Sequence, residues 1–133
     1  MKRLTLVVTG ADLSIVRLDP WETLPGWIDV AAGPFISVTR TADEVSIVCP
    51  TPVLPDEIRA ERGWRAIKVQ GPLEFSLVGI LVSLLSPLSM AGISVFTLST
   101  YDTDYVLVRS SELSRALVVL AADFDIVQDE AGS

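Results

Sequence analysis

Residues 75–101 carry no charged side chain. An uncharged run of that length has two destinations: it crosses a bilayer as one helix, or it is buried in a core as more than one element. Its punctuation decides between them. Ser83, Ser86 and Ser89 interrupt the apolar residues, Pro87 removes a backbone donor, and Ala91-Gly92 reads as a helix stop. Beyond Gly92 the residues become β-branched and alternate. No Lys or Arg cluster flanks the run, as an oriented membrane segment requires. The reading is a short buried helix followed by a strand, with no membrane partner.

The helix is expected over 76–92, with Ser76 as its N-cap and Glu74 just ahead. Leu77, Leu81, Leu84, Leu85 and Leu88 recur at helical spacing and define an apolar face. Ser76, Gly79, Ser83 and Ser86 form a second stripe of small residues. A small stripe lets another backbone approach, either within the chain or across a dimer seam; both readings stand. Pro87 is expected to bend the last turn.

Elsewhere the pattern is mostly β. Strands are expected at 4–10, 13–18, 65–71, 93–100, 104–110 and 124–127, and a hairpin over 34–50 turning at Ala42-Asp43. Residues 19–27 form a turn-rich connection with a short helix, and a helical piece is expected at 56–62, after the breakers Pro50, Pro52 and Pro55. A second helix is expected over 110–123, capped by Ser110 or Ser111. From residue 65 the order is strand, helix, strand, strand, helix, strand. That order predicts an α+β class: an antiparallel sheet with both helices on one face, a ferredoxin-like βαββαβ unit. The first 60 residues read as a degenerate copy, giving two units, 1–62 and 63–133.

Composition excludes several function classes. The formal net charge is −7, and residues 76–133 hold 2 basic against 7 acidic side chains. Nucleic acid is a poor partner for such a chain, because phosphate binding needs clustered Lys and Arg. There is no histidine and one cysteine, Cys49. Ser-His and Cys-His nucleophile pairs and the usual zinc sites are therefore excluded. A lone cysteine makes no internal disulfide, which fits a reducing cytoplasm. The Asp43-Glu44 and Asp56-Glu57 pairs fall at expected turns and read as solvated charges, so an enzyme is not expected and no cofactor or metal is implied.

One polar knot remains. Ser99-Thr100-Tyr101-Asp102-Thr103-Asp104 joins two β-prone runs and is richer than a hairpin turn needs. It reads either as a hydrated turn with local side-chain bonds or as a binding corner. GPLEFSLVGILVSLLSPLSMAGISVFTLSTYDTDYVLV (71–108), with RTADEVSIVCP and ERGWRAIKVQ upstream, resembles an ACT domain, the small amino-acid-sensing module of metabolic regulation. Within that family it is similar to the bacterial tandem proteins related to the aspartate kinase regulatory region and to the CASTOR arginine sensor. The resemblance covers the chain from about residue 35 and is strongest at 62–109; the N-terminal third matches by layout. It implies two ACT units, a free amino acid as partner, no catalytic activity, and a ligand held between paired units. Carried over residue by residue, it implies Asp104 as the cation partner and Thr100 and Tyr101 as contacts, with Ser99 beside them. The start of the helix at Ser76, Leu77 and Val78 is the matching anion seat, where unpaired N–H groups favour a carboxylate. A homodimer that completes the pocket, and an unidentified regulated protein, are the further expected partners. The alternative is an assembly module that dimerises with its corner empty.

Overall fold

The computed structural model describes residues 3–28, 33–71 and 79–129. Eight strands and two α-helices lie among them: β1 (Thr5–Val8), β2 (Leu13–Leu18), β3 (Ser37–Arg40), β4 (Val45–Pro50), β5 (Glu61–Val69), α1 (Ile80–Met90), β6 (Val95–Ser99), β7 (Asp104–Arg109), α2 (Leu113–Leu120) and β8 (Asp125–Gln128). This is the expected α+β class.

Residues through Gly10 and from Arg65 onward form one compact unit; Ala11–Trp64 form another. The first has strand order β6-β7-β5-β1-β8. From β5 onward its elements follow the βαββαβ order read from the sequence. β8, however, does not lie beside β5. β1 occupies that place, antiparallel to β5 and parallel to β8. Leu6 and Val8 are fully buried there, so β1 is an interior strand. A division at 62/63 keeps this strand with the N-terminal unit, whereas its hydrogen bonds run to β5 and β8.

One face of this sheet carries the core that the helices cover. Leu6, Ile67, Val69, Val106 and Val108 pack with Leu84 and Leu88 of α1 and Ala116 and Leu120 of α2. Both helices therefore cover the same face. α1 runs through Pro87 to Met90 and ends in a Schellman arrangement: Ile93 N–H donates to Leu88 C=O (3.0 Å) and Gly92 N–H to Ser89 C=O (3.0 Å). Gly92 makes this turn with φ 75°. A Cβ added there meets nothing within 4 Å. Gly92→Ala should therefore cost only the left-handed backbone, about 1–2 kcal/mol, and Gly92→Asn less. Urea melts of the two variants check this; an equal cost for both points to a steric cause instead.

The start of α1 differs from expectation. The helix begins at Ile80, with Gly79 as N-cap at φ 82°, a conformation that does not continue a helix. Ser76 is therefore not its cap, and Ser76, Leu77 and Val78 lie outside the described residues. The second helix also starts differently. A 3-10 turn, Ser110–Glu112, precedes α2, and no side chain caps either element. Arg3 closes the other end of α2, donating to the carbonyls of Ala121 (3.1 Å), Ala122 (3.2 Å) and Phe124 (2.9 Å) and pairing with Asp125. A cation at a helix C-terminus meets the unpaired carbonyls and the negative end of the helix dipole.

In the second unit β2 pairs with β4 and β4 with β3, all antiparallel. The hairpin turns at residues 41–44, where Thr41 Oγ1 accepts from the N–H groups of Asp43 (3.1 Å) and Glu44 (3.2 Å). The expected helix at 56–62 is instead a turn followed by β5, which begins at Glu61. Residues 19–27 hold turns, and a 3-10 turn at Thr51–Val53 follows β4. Cys49 is buried in this unit's core with Val16, Val45 and Ile47. Burial pushes its thiol above the ordinary range, the Arg62 charge opposing more weakly. A protonated, enclosed thiol is an inert one.

Candidate functional site

The β6–β7 hairpin puts the polar knot at the edge of the sheet. Ser99 is paired with Asp104 across the two strands, so the loop proper is residues 100–103. It is tied by its own groups: Thr100 N–H donates to Thr103 C=O (2.8 Å), and Thr100 Oγ1 accepts from Thr103 N–H (3.3 Å). Thr103 is buried, and its hydroxyl donates to the Val69 carbonyl at the end of β5. The loop is thus fastened to the neighbouring strand by the one side chain that the polar knot buries.

Alternation along the strands sends the remaining side chains to different faces. Val95 on β6 and Val106 and Val108 on β7 belong to the helix-covered core. Ser99 and Asp104 share their parity and so lie on that face, where Ser99 Oγ donates to Asp104 Oδ1 (2.6 Å). Asp104 Oδ2 has no hydrogen-bond partner among the described residues. Tyr105 has the opposite parity, as does Lys68 between the core residues Ile67 and Val69. On that second face a cleft of about 170 Å³ opens, lined by Lys68, Gly71, Thr100, Asp102, Thr103 and Tyr105.

Of the residues expected at the site, Ser99, Thr100, Tyr101 and Asp104 come together at the corner. Thr100 lines the cleft, Asp104 does not, and Tyr101 is 81 % exposed. Ser76, Leu77 and Val78 fall in the undescribed part of the connection that leaves β5 at Gly71, itself a cleft residue. Lys68, Gly71 and Tyr105 were not singled out by the sequence. Their only signals are a lysine alternating with Ile67 and Val69, a glycine just past a strand, and a tyrosine following Asp104. Among the described residues no group of His, Cys, Asp and Glu could hold a metal ion, and no helix is long and apolar enough to cross a membrane.

The stretch from β5 through α2, with the β6–β7 corner inside it, matches a known family. The ACT domain family model matches residues 59–122, and a second model, for an N-terminal domain, matches 12–57. Residues 59–122 of the chain are an ACT domain. Among the chain's relatives is the human cytosolic arginine sensor for mTORC1 subunit 1, 44 % identical over 109 residues, covering 74 % of this chain and 33 % of the sensor. The cattle sensor of the same name is 31 % identical over 109 residues, with the same coverage. This ACT chain thus spans about a third of the length of these curated relatives. The crystal structure of an Agrobacterium tumefaciens protein is similar over nearly the whole chain: TM-score 0.88, 40 % identity, 98 % of this chain and 96 % of that one. Clostridium acetobutylicum aspartate kinase shares the fold, with TM-score 0.66 and 14 % identity over 90 % of this chain and 34 % of the kinase.

Proposed function

We propose that this ACT-domain chain is a regulatory protein that binds a free amino acid at the β6–β7 corner, reports the bound state to another protein, and performs no catalysis. The observation that carries the reading is the corner itself: a loop fixed by Thr100 and Thr103, with a carboxylate, Asp104, that has an oxygen to spare. Asp104 receives the ligand's cation. Ser99, Thr100 and Tyr101 surround it, and Ser76, Leu77 and Val78, in the connection between β5 and α1, provide the anion seat. A partner copy completes the pocket in a homodimer, in the cytoplasm. The matched relatives are named arginine sensors, so arginine is the first ligand to try.

Calorimetry against the common amino acids, with wild type and Asp104→Ala, tests this. At least one should bind, and the substitution should weaken it tenfold or more. At 100 times its Kd that ligand should add about 2.7 kcal/mol to stability. If none binds, the sensor reading fails. The second reading, an assembly module, is favoured by β6, an edge strand whose residues Val95–Ser99 carry no charge. Uncharged edges invite pairing with another strand. In that case stability rises with protein concentration and is indifferent to every amino acid.

A further inference from the structure

We infer that the corner carries a second seat, on the sheet face away from Asp104, and that it takes the head of a small zwitterion through Lys68 and Asp102. Both side chains line the same cleft. They do not form an ion pair with each other, and among the described residues neither has a hydrogen-bond or ion-pair partner. Lys68 is half-buried on β5, and its ammonium has no anion beside it among the described residues. Asp102 is exposed at the rim. An anion alone would meet Lys68 and be repelled by Asp102; a cation alone would suffer the reverse. A molecule carrying both signs a few ångströms apart satisfies the two together, its carboxylate on Lys68 and its ammonium on Asp102.

The surroundings suit such a ligand. The cleft's volume of about 170 Å³ is below the ~300–1,000 Å³ of drug-sized sites and suits one small metabolite. Its floor is already fixed, because the Thr103 hydroxyl is committed to Val69 and Thr100 to Thr103. A preformed loop lowers the ordering cost of binding. The site is separate from the Asp104 seat because strand alternation puts Lys68 and Tyr105 on one face and Ser99 and Asp104 on the other.

The experiment uses the full chain carrying Asp104→Ala, which removes the first seat. Glycine, alanine and serine are titrated by calorimetry, with acetate and methylammonium as single-charge controls. At least one of the three amino acids should bind this protein. Adding Lys68→Met, or Asp102→Asn at its exposed loop position, should weaken that binding at least tenfold. Acetate and methylammonium should each bind at least tenfold more weakly than the amino acid. Unchanged affinity in the Lys68→Met protein, or acetate binding as well as the amino acid does, overturns the inference. If wild type binds amino acids and the Asp104→Ala protein binds none, this seat alone is refuted. If wild type binds none, both seats fall together.

Discussion

Leu84→Ala should remove about 2–5 kcal/mol of stability, the range for a buried leucine whose cavity does not collapse. Leu84 and Leu88 on α1 are 0 % exposed. They belong to the cluster that joins α1 to Ile67 and Val69 on β5, Val106 and Val108 on β7, and Ala116 and Leu120 on α2. Cutting back one side chain therefore opens a cavity in a core that four elements share. The same helix supplies the control. Val82 is 67 % exposed and Met90 is 87 % exposed. Val82→Ser and Met90→Ser should each stay within about 0.5 kcal/mol of wild type. Urea unfolding of the four proteins reads the contrast. If Val82→Ser costs as much as Leu84→Ala, the face given to α1 is wrong.

That face was largely legible in the sequence. Leucines at 84 and 88 recur at helical spacing, and Ala91-Gly92 marks the stop that the Schellman hydrogen bonds make. The start was not legible, because Ser76 has the chemistry of a cap while the chain caps at Gly79 through a positive φ that only glycine adopts cheaply. β5 was read as starting at Arg65. Glu61 and Arg62 read in sequence as the end of the helical piece 56–62, but with Gly63 they are strand. Gly63 has φ 85°, and the pairing with β2 shifts register between Leu13 and Ile15, the mark of a bulge. The position of β1 was hidden for a different reason. A run such as Leu4–Val8 says that a strand is buried but not which strands it pairs with, and that choice is made by residues as far off as Ile67–Val69 and Asp125–Gln128.

At the corner, the knot of hydroxyls and carboxylates stood out against an apolar background, so Ser99, Thr100, Tyr101 and Asp104 were found. Lys68 was not. In an alternating strand a lysine is the ordinary outward residue, and only the folded hairpin shows that its outward face has Thr100, Asp102 and Tyr105 around it. The parity that separates Asp104 from Lys68 is written in the sequence. The pairing of β7 with β5 that makes it matter is not.

Thr103→Val should cost about 1–3 kcal/mol, the penalty for leaving a buried polar group without its partner. It should also weaken any ligand of the corner. Valine keeps the shape and discards the hydroxyl, so the Val69 carbonyl loses the donor that fastens the loop to β5. The Thr100–Thr103 bonds then hold a loop that the Thr103 side chain no longer ties to β5, and the Thr100 N–H should exchange with solvent faster than in wild type. Thr103→Ser restores the donor and should recover most of the stability and the slow exchange. Tyr101→Ala, at an 81 % exposed position, should leave both nearly unchanged. Hydrogen exchange and urea melts on the three variants separate anchoring from packing. A serine variant as weak as valine means that the methyl group, not the hydroxyl, holds the corner in place.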